Sequence, residues 1–228
     1  MRLTKFLSLY VNMSRNQAKF YIRKGRASVD GVVIRESDFE LSEDSQVMLD
    51  GNLIESVEYR YFLLNKPISY ECLKQSATAK SICKLLPQEL SGREVYFANI
   101  LRPIDTGLVV ISDNPRWSSM LRKKMSKKSR LYYFTLAEKV SGDQVSGLRA
   151  SFEKLFGSSK NSAFDIQHRG DNLLELSSVQ ARISNILSLF ESMNFGIEVV
   201  HLQRVGKLDL GDLRLGESKE FTEGEITL

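Results

Sequence analysis

Leu3, Phe6, Leu7 and Tyr10 fall three and four positions apart, which predicts a short amphipathic helix over residues 2–11. Ala18, Tyr21 and Ile22 repeat that spacing in a second helix, with Ser14 placed to cap its start and Gly25 to stop it. The period then changes. Ala27-Ser28-Val29, Asp30-Gly31 and Val32-Val33-Ile34 form a hairpin signal, because Asp-Gly tolerates the left-handed backbone of a tight reversal. Gln46 to Leu49, ended by Asp50-Gly51, adds another strand.

Longer apolar runs follow. Tyr61 to Leu64, Leu108 to Ile111, Tyr132 to Leu136 and Leu173 to Leu176 read as strands, as do Val199-Val200 and 205–210. Residues 80–90 read as helical. Residues 179–193 read as a helix with Ile183, Ile186, Leu187 and Phe190 inward and Ser177 or Ser178 as its cap. The order predicts an α+β protein with two parts, residues 1–58 and 59–228.

Composition narrows the class. The chain has 228 residues, 42% hydrophobic and 26% charged, which excludes disordered and low-complexity classes. Cys72 and Cys83 cannot staple a fold of this size, and His168 and His201 are too few for a metal cluster or a serine-type triad. No apolar run approaches the length of a membrane span or signal core. These features predict a cytoplasmic monomer with no membrane partner and no metal.

Charge changes the picture most. The net charge is only +4, but it is segregated. Residues 1–26 carry Arg2, Lys5, Arg15, Lys19, Arg23, Lys24 and Arg26 and no acid; residues 27–58 are strongly acidic. A second acid-free stretch holds Arg116, Arg122, Lys123, Lys124, Lys127, Lys128 and Arg130. Clustered cations on a scaffold suit a polyanion, since each neutralised phosphate releases counterions. The alternative use is a solvated helix face.

The N-terminal order of two helices and a small sheet resembles the S4-like RNA-binding domain. The resemblance rests on Arg2-Leu3 with Lys5-Phe6, Ser14-Arg15, Ile22, Gly25-Arg26 and Val29-Asp30-Gly31. With Leu64-Asn65-Lys66-Pro67, Thr106-Gly107-Leu108, Asp113, Tyr132, Thr135-Leu136, Arg182, Phe190, His201, Arg204 and Gly206 behind it, the chain resembles the RsuA-type small-subunit ribosomal RNA pseudouridine synthases. The ending Leu215-Gly216-Glu217, Phe221-Thr222-Glu223 and Glu225-Ile226 matches too. That family implies a larger, mixed and mainly antiparallel sheet domain with flanking helices. It also implies ribosomal RNA, or a ribosomal assembly intermediate, as partner, and an isomerisation without cofactor. A uridine is flipped into a pocket, an essential aspartate breaks the glycosidic bond, an arginine keeps it ionised, and a tyrosine packs on the uracil. Tyr132 and Arg182 stand at the positions of that tyrosine and of a pocket arginine.

The active-site segments depart from the family pattern. Aligned without gaps on Thr106-Gly107-Leu108, the catalytic aspartate position holds Arg102, which can be neither nucleophile nor base. The late motif survives only as Arg182 within Ala181 to Ser188. Three outcomes stay open. In the first, the chain is an RNA-binding protein of weak or no activity, with Arg102 and Arg182 facing a bound phosphate. In the second, the loop is shorter and Asp105 is the catalytic carboxylate, with Arg102 as its arginine. A regulatory RNA-binding factor unrelated to ribosomes is a third. Trp117, His201 and Cys72 are expected in or near the core.

Overall fold

The computed structural model describes residues 1–11, 13–55, 58–73, 80–157, 164–179 and 182–226. The chain divides into two compact units, Met1–Glu58 and Tyr59–Leu228.

In the first unit, α1 (Leu3–Tyr10) and α2 (Arg15–Arg23) precede β1 (Ala27–Val29), β2 (Val32–Ile34), β3 (Val47–Leu49) and β4 (Asn52–Leu53). The strands form an antiparallel sheet in the order β2-β1-β3-β4. A capping box starts α2: Ser14 Oγ accepts from the Gln17 N–H, and Gln17 Oε1 accepts from the Ser14 N–H. Both hairpins turn on Asp-Gly pairs whose residues all have positive φ: 52° and 81° at Asp30-Gly31, 53° and 79° at Asp50-Gly51. Leu3, Leu7, Ala18, Ile22, Val29 and Val47 share one buried core. The apolar spacing is therefore used as predicted, and it leaves Arg15, Lys19 and Arg23 exposed on the outer side of α2.

The second unit is built on a nine-stranded sheet. Its strands are β5 (Tyr61–Lys66), β8 (Tyr96–Phe97), β9 (Thr106–Ser112), β10 (Arg130–Leu136), β11 (Phe164–Gly170), β12 (Leu173–Ser178), β13 (Ile197–Val205), β14 (Leu208–Asp209) and β15 (Ser218–Glu220). Two short strands, β6 (Tyr70–Glu71) and β7 (Lys80–Ser81), pair separately. The main order is β11-β12-β10-β13-β9-β5-β15, with β14 on β13 and β8 on β9. Within it only β13 and β9 run parallel.

Strand β9 is buried on both faces, which is why it reads as an unbroken apolar run. Leu108 and Val110 join Phe134, Leu174, Leu176 and the three helices α3 (Pro115–Met125), α4 (Gly142–Phe156) and α5 (Ile183–Ser192). Val109 and Ile111 join Phe62, Leu64, Cys72, Ile82 and Phe97. Trp117 is a core residue, edge-on to Tyr61 at 4.6 Å between ring centroids.

Two expectations are corrected, and one unassigned stretch is resolved. Residues 80–90 form no α-helix; β7 leads into two single turns, Ile82–Leu85 and Gln88–Leu90, separated by Pro87, which has no N–H to continue a helix. The late helix starts at Ile183, capped by the extended Arg182, because Ser177 and Ser178 are committed to β12; residues 180–181 lie outside the described residues. The basic stretch after Asn114 is largely a helix, α3, with Asn114 Oδ1 accepting from the Trp117 N–H and Pro115 in the first turn.

Candidate nucleotide cavity and active site

The loop between β8 and β9 carries the residues in question, and its shape follows from a few anchors. Asn99 holds its start: Nδ2 donates to Leu108 O at 2.8 Å, and Oδ1 accepts from the Val110 N–H at 3.0 Å. Pro103 and Ile104 form the corner of a tight turn closed by the Asp105 N–H donating to Arg102 O at 3.1 Å. Lys66, at the end of β5, is wholly buried, and its ammonium donates to Pro67 O, Pro103 O and Asp105 O at 3.0, 3.3 and 2.6 Å. Burial pushes the Lys66 pKa down, with Cys72 and Asp105 opposing. Ser69, at φ 68°, donates its N–H to the same Pro103 carbonyl.

Behind the turn, β9 touches β13 so closely that a Cβ on Gly107 would lie 2.3 Å from Leu202 O. Gly107 also has φ +114°, so no other residue fits there. Thr106 Oγ1 lies 2.9 Å from His201 Nδ1, tying the two strands beside Asp105. His201 is half-buried, and burial lowers its pKa.

This scaffold turns Asp105 inward, 5% exposed, while Arg102 is pinned against it. The guanidinium donates through Nε and Nη2 to the two carboxylate oxygens, each at 2.7 Å. The spacing of three residues is that of the turn itself, so ion pair and turn support one another. The pair raises the Arg102 pKa, chiefly by hydrogen bonding, so the guanidinium stays charged.

Both residues line a cavity of about 640 Å³ that also receives Tyr132, Arg122, Arg130 and Arg182. Its volume lies in the usual range of ligand pockets, about 300–1,000 Å³. Tyr132 projects from the middle of β10 and is buried. Its hydroxyl is pushed up to about 12 by burial first; Arg130 opposes this and the Asp105 charge adds to it. Arg182, the cap of α5, reaches the same cavity from an exposed position and makes no ion pair among the described residues. A second hollow of about 490 Å³ shares Arg102 and Asp105.

The sequence candidates thus separate. Asp105, Tyr132, Arg182, Arg102 and Arg122 line one cavity. Lys123, Lys124 and Lys127 are exposed at the C-terminal end of α3, where cations also suit the helix dipole, and Lys128 is half-buried. Arg2, Lys5, Arg15, Lys19, Arg23 and Lys24 are exposed in the first unit. Arg26 is taken by a two-point ion pair with Asp50 and lies 4.1 Å over the Tyr21 ring. Sequence reasoning assigned no role to Lys66 or Asn99; the one available signal was a lysine inside an otherwise apolar strand. No group of three or more His, Cys, Asp or Glu side chains suited to a metal occurs among the described residues. No described helix is long and apolar enough to cross a membrane.

Sheet, cavity and paired helices define a mixed α/β protein of the pseudouridine synthase fold. A crystal structure of a pseudouridylate synthase superposes with a TM-score of 0.60 at 23% identity, covering 99% of this chain and 97% of that one. The chain is similar from end to end to the RsuA-type small-subunit ribosomal RNA pseudouridine synthases. It is 27% identical to ribosomal small subunit pseudouridine synthase A of Vibrio parahaemolyticus and 28% identical to that of Escherichia coli, with 99% of this chain and 98% of each relative covered. The Haemophilus influenzae protein of the same name is 24% identical over the same shares. No family model matches the chain.

Proposed function

We propose that this protein binds ribosomal RNA and isomerises a uridine of it to pseudouridine, with Asp105 as the catalytic carboxylate. One observation carries this reading: Asp105 lies in the cavity, bonded through both oxygens to Arg102, and close enough to Tyr132 for its charge to act on the hydroxyl. A carboxylate, its arginine and a tyrosine are the constellation implied by the resemblance, and Asp105, Arg102 and Tyr132 lining one cavity support that reading. The reaction exchanges the N1–C1′ bond for a C5–C1′ bond, and the proton lost at C5 is balanced by one gained at N1. No oxidant or cofactor enters that balance. Arg102 fixes the orientation of Asp105 through both carboxylate oxygens, Tyr132 offers an apolar ring edge to the uracil, and the walls exclude water from the flipped base.

The exposed basic stripe of α2 supplies affinity for the RNA backbone, with little demand on sequence. A second reading, RNA binding without isomerisation, is favoured by Arg102 at the gapless catalytic position and by the rewritten segment around Arg182. Pseudouridine mapping of small-subunit RNA, in cells with and without the gene, separates the two. The expected result is one modified site lost on deletion and restored by wild type but not by Asp105→Asn. No site lost, or full restoration by Asp105→Asn, selects the second reading.

A further inference from the structure

Four guanidiniums and one carboxylate line the larger cavity, so three positive charges are left over. The arginines are not equivalent. Arg102 is neutralised by Asp105. Arg122 is held by main chain instead, its Nη2 donating to Phe97 O at 2.5 Å. Arg130 is held in the same way, its Nη2 donating to Met125 O at 3.3 Å. Arg182 has no ion partner among the described residues. A carbonyl orients a guanidinium without cancelling its charge, and it leaves further N–H donors of the planar fork free. Three elements therefore deliver three cations to one concavity, α3, the first residue of β10 and the cap of α5; two are held by carbonyls, one is exposed, and none meets a carboxylate among the described residues.

We infer that Arg122, Arg130 and Arg182 form a phosphate subsite that takes the phosphodiester backbone beside the nucleotide held in the cavity. Arginine suits that ligand because its fork meets two phosphate oxygens at once. The subsite selects a nucleotide within a strand over a free base or nucleoside, and it holds that nucleotide with its sugar toward the Asp105 turn. The earlier expectation of an Arg102 and Arg182 phosphate pair is revised accordingly, since the charge of Arg102 is already spent. The inference rests on the proposed nucleotide cavity but not on catalysis.

The test uses the full-length protein and a short RNA with one central uridine, in two forms. One form keeps its phosphodiesters; the other carries uncharged methylphosphonates on both sides of the uridine. Wild type is expected to bind the charged form roughly tenfold more tightly, the scale of a charge-assisted hydrogen bond. Arg122→Gln, Arg130→Gln and Arg182→Gln together should bring the two forms to equal affinity. Arg182→Gln alone, at an exposed position, should shrink the ratio without disturbing the fold. Equal binding of both forms by wild type, or an unchanged ratio in Arg182→Gln, would overturn the assignment. So would inorganic phosphate competing as well as the RNA, which would mark a free-anion site. A retained tenfold ratio in a protein that makes no pseudouridine supports the subsite while removing the isomerase reading.

Discussion

The two acid-free basic segments look alike in the sequence and are used differently in the structure. In the first, Arg15, Lys19 and Arg23 lie one turn apart on α2 and stay exposed, with the apolar side of the helix in its own core. In the second, the segment is divided by secondary structure. Lys123 and Lys124 on α3 and Lys127 just past its end remain outside, while Arg122 and Arg130 are drawn against Phe97 and Met125 carbonyls and line the cavity. Charge density along the chain is the same signal in both places. What differs is whether the neighbouring apolar residues anchor one helix face or a helix, a turn and the start of a strand. On the proposed function, the first segment would serve as a surface for a polyanion, and the second would divide between surface and cavity.

The largest expected effect tests the surface side of that contrast. Changing Arg15, Lys19 and Arg23 to Glu should weaken RNA binding by about a thousandfold near physiological salt and flatten the salt dependence by roughly three counterions. Changing Lys123, Lys124 and Lys127 to Gln should weaken binding far less and leave isomerisation of bound RNA intact. Filter binding across a salt series measures both, and equal losses would erase the distinction.

The next effect falls on the anchoring of the cavity. Lys66→Met removes the ammonium shared by Pro67 O and by the Pro103 and Asp105 carbonyls of the turn; Pro103 O keeps the Ser69 N–H, while the other two lose this donor. A destabilisation of about 2 kcal/mol is expected from such unpaired groups, read as a lowered midpoint in denaturant. Lys66 is a positioning residue, so the fall in isomerisation should appear mainly in kcat, with KM for RNA little changed.

The smallest effect is a pH dependence confined to the cavity. The Tyr132 pKa is raised in the folded state from 10.0 to about 12, so the folded protein binds that proton more tightly than the unfolded chain. The associated stability is complete below pH 10 and is lost as pH rises toward 12. Burial also raises the Tyr133 pKa, so ultraviolet titration should show more than one late phenolate, and Tyr132→Phe should remove the one near 12 and lose less stability across the same window.

Much of the fold was legible because it is local. Asp30-Gly31 and Asp50-Gly51 carry the turn conformations in their own backbones, Ser14 caps α2 with a side chain three residues from its partner, and β9 reveals its double burial as an unbroken apolar run. Residues 80–90 misled because a locally helical composition was overruled by Pro87 and by packing against β9. Helix α4 was passed over even though Ser141 and Gln144 form a capping box at its start. The site itself was legible only as a choice. Asp105, Arg102, Tyr132 and Arg182 could all be named, but their arrangement could not, since it depends on a loop whose length is set against two strands.

The sequence by itself therefore determined the class of protein, the α+β order of elements, the RNA-seeking charge and the short roster of residues able to do chemistry. These are properties of composition and short-range spacing, where each residue's preference acts within a few positions. Only the tertiary structure decided that Arg102 is bound to Asp105, and that Arg122 and Arg130 line one cavity with Arg182. Those assignments hang on Lys66 gathering the Pro103 and Asp105 carbonyls and on Gly107 lying against Leu202. Each contact joins segments far apart in the chain, and a pattern of neighbours along the sequence carries no record of them.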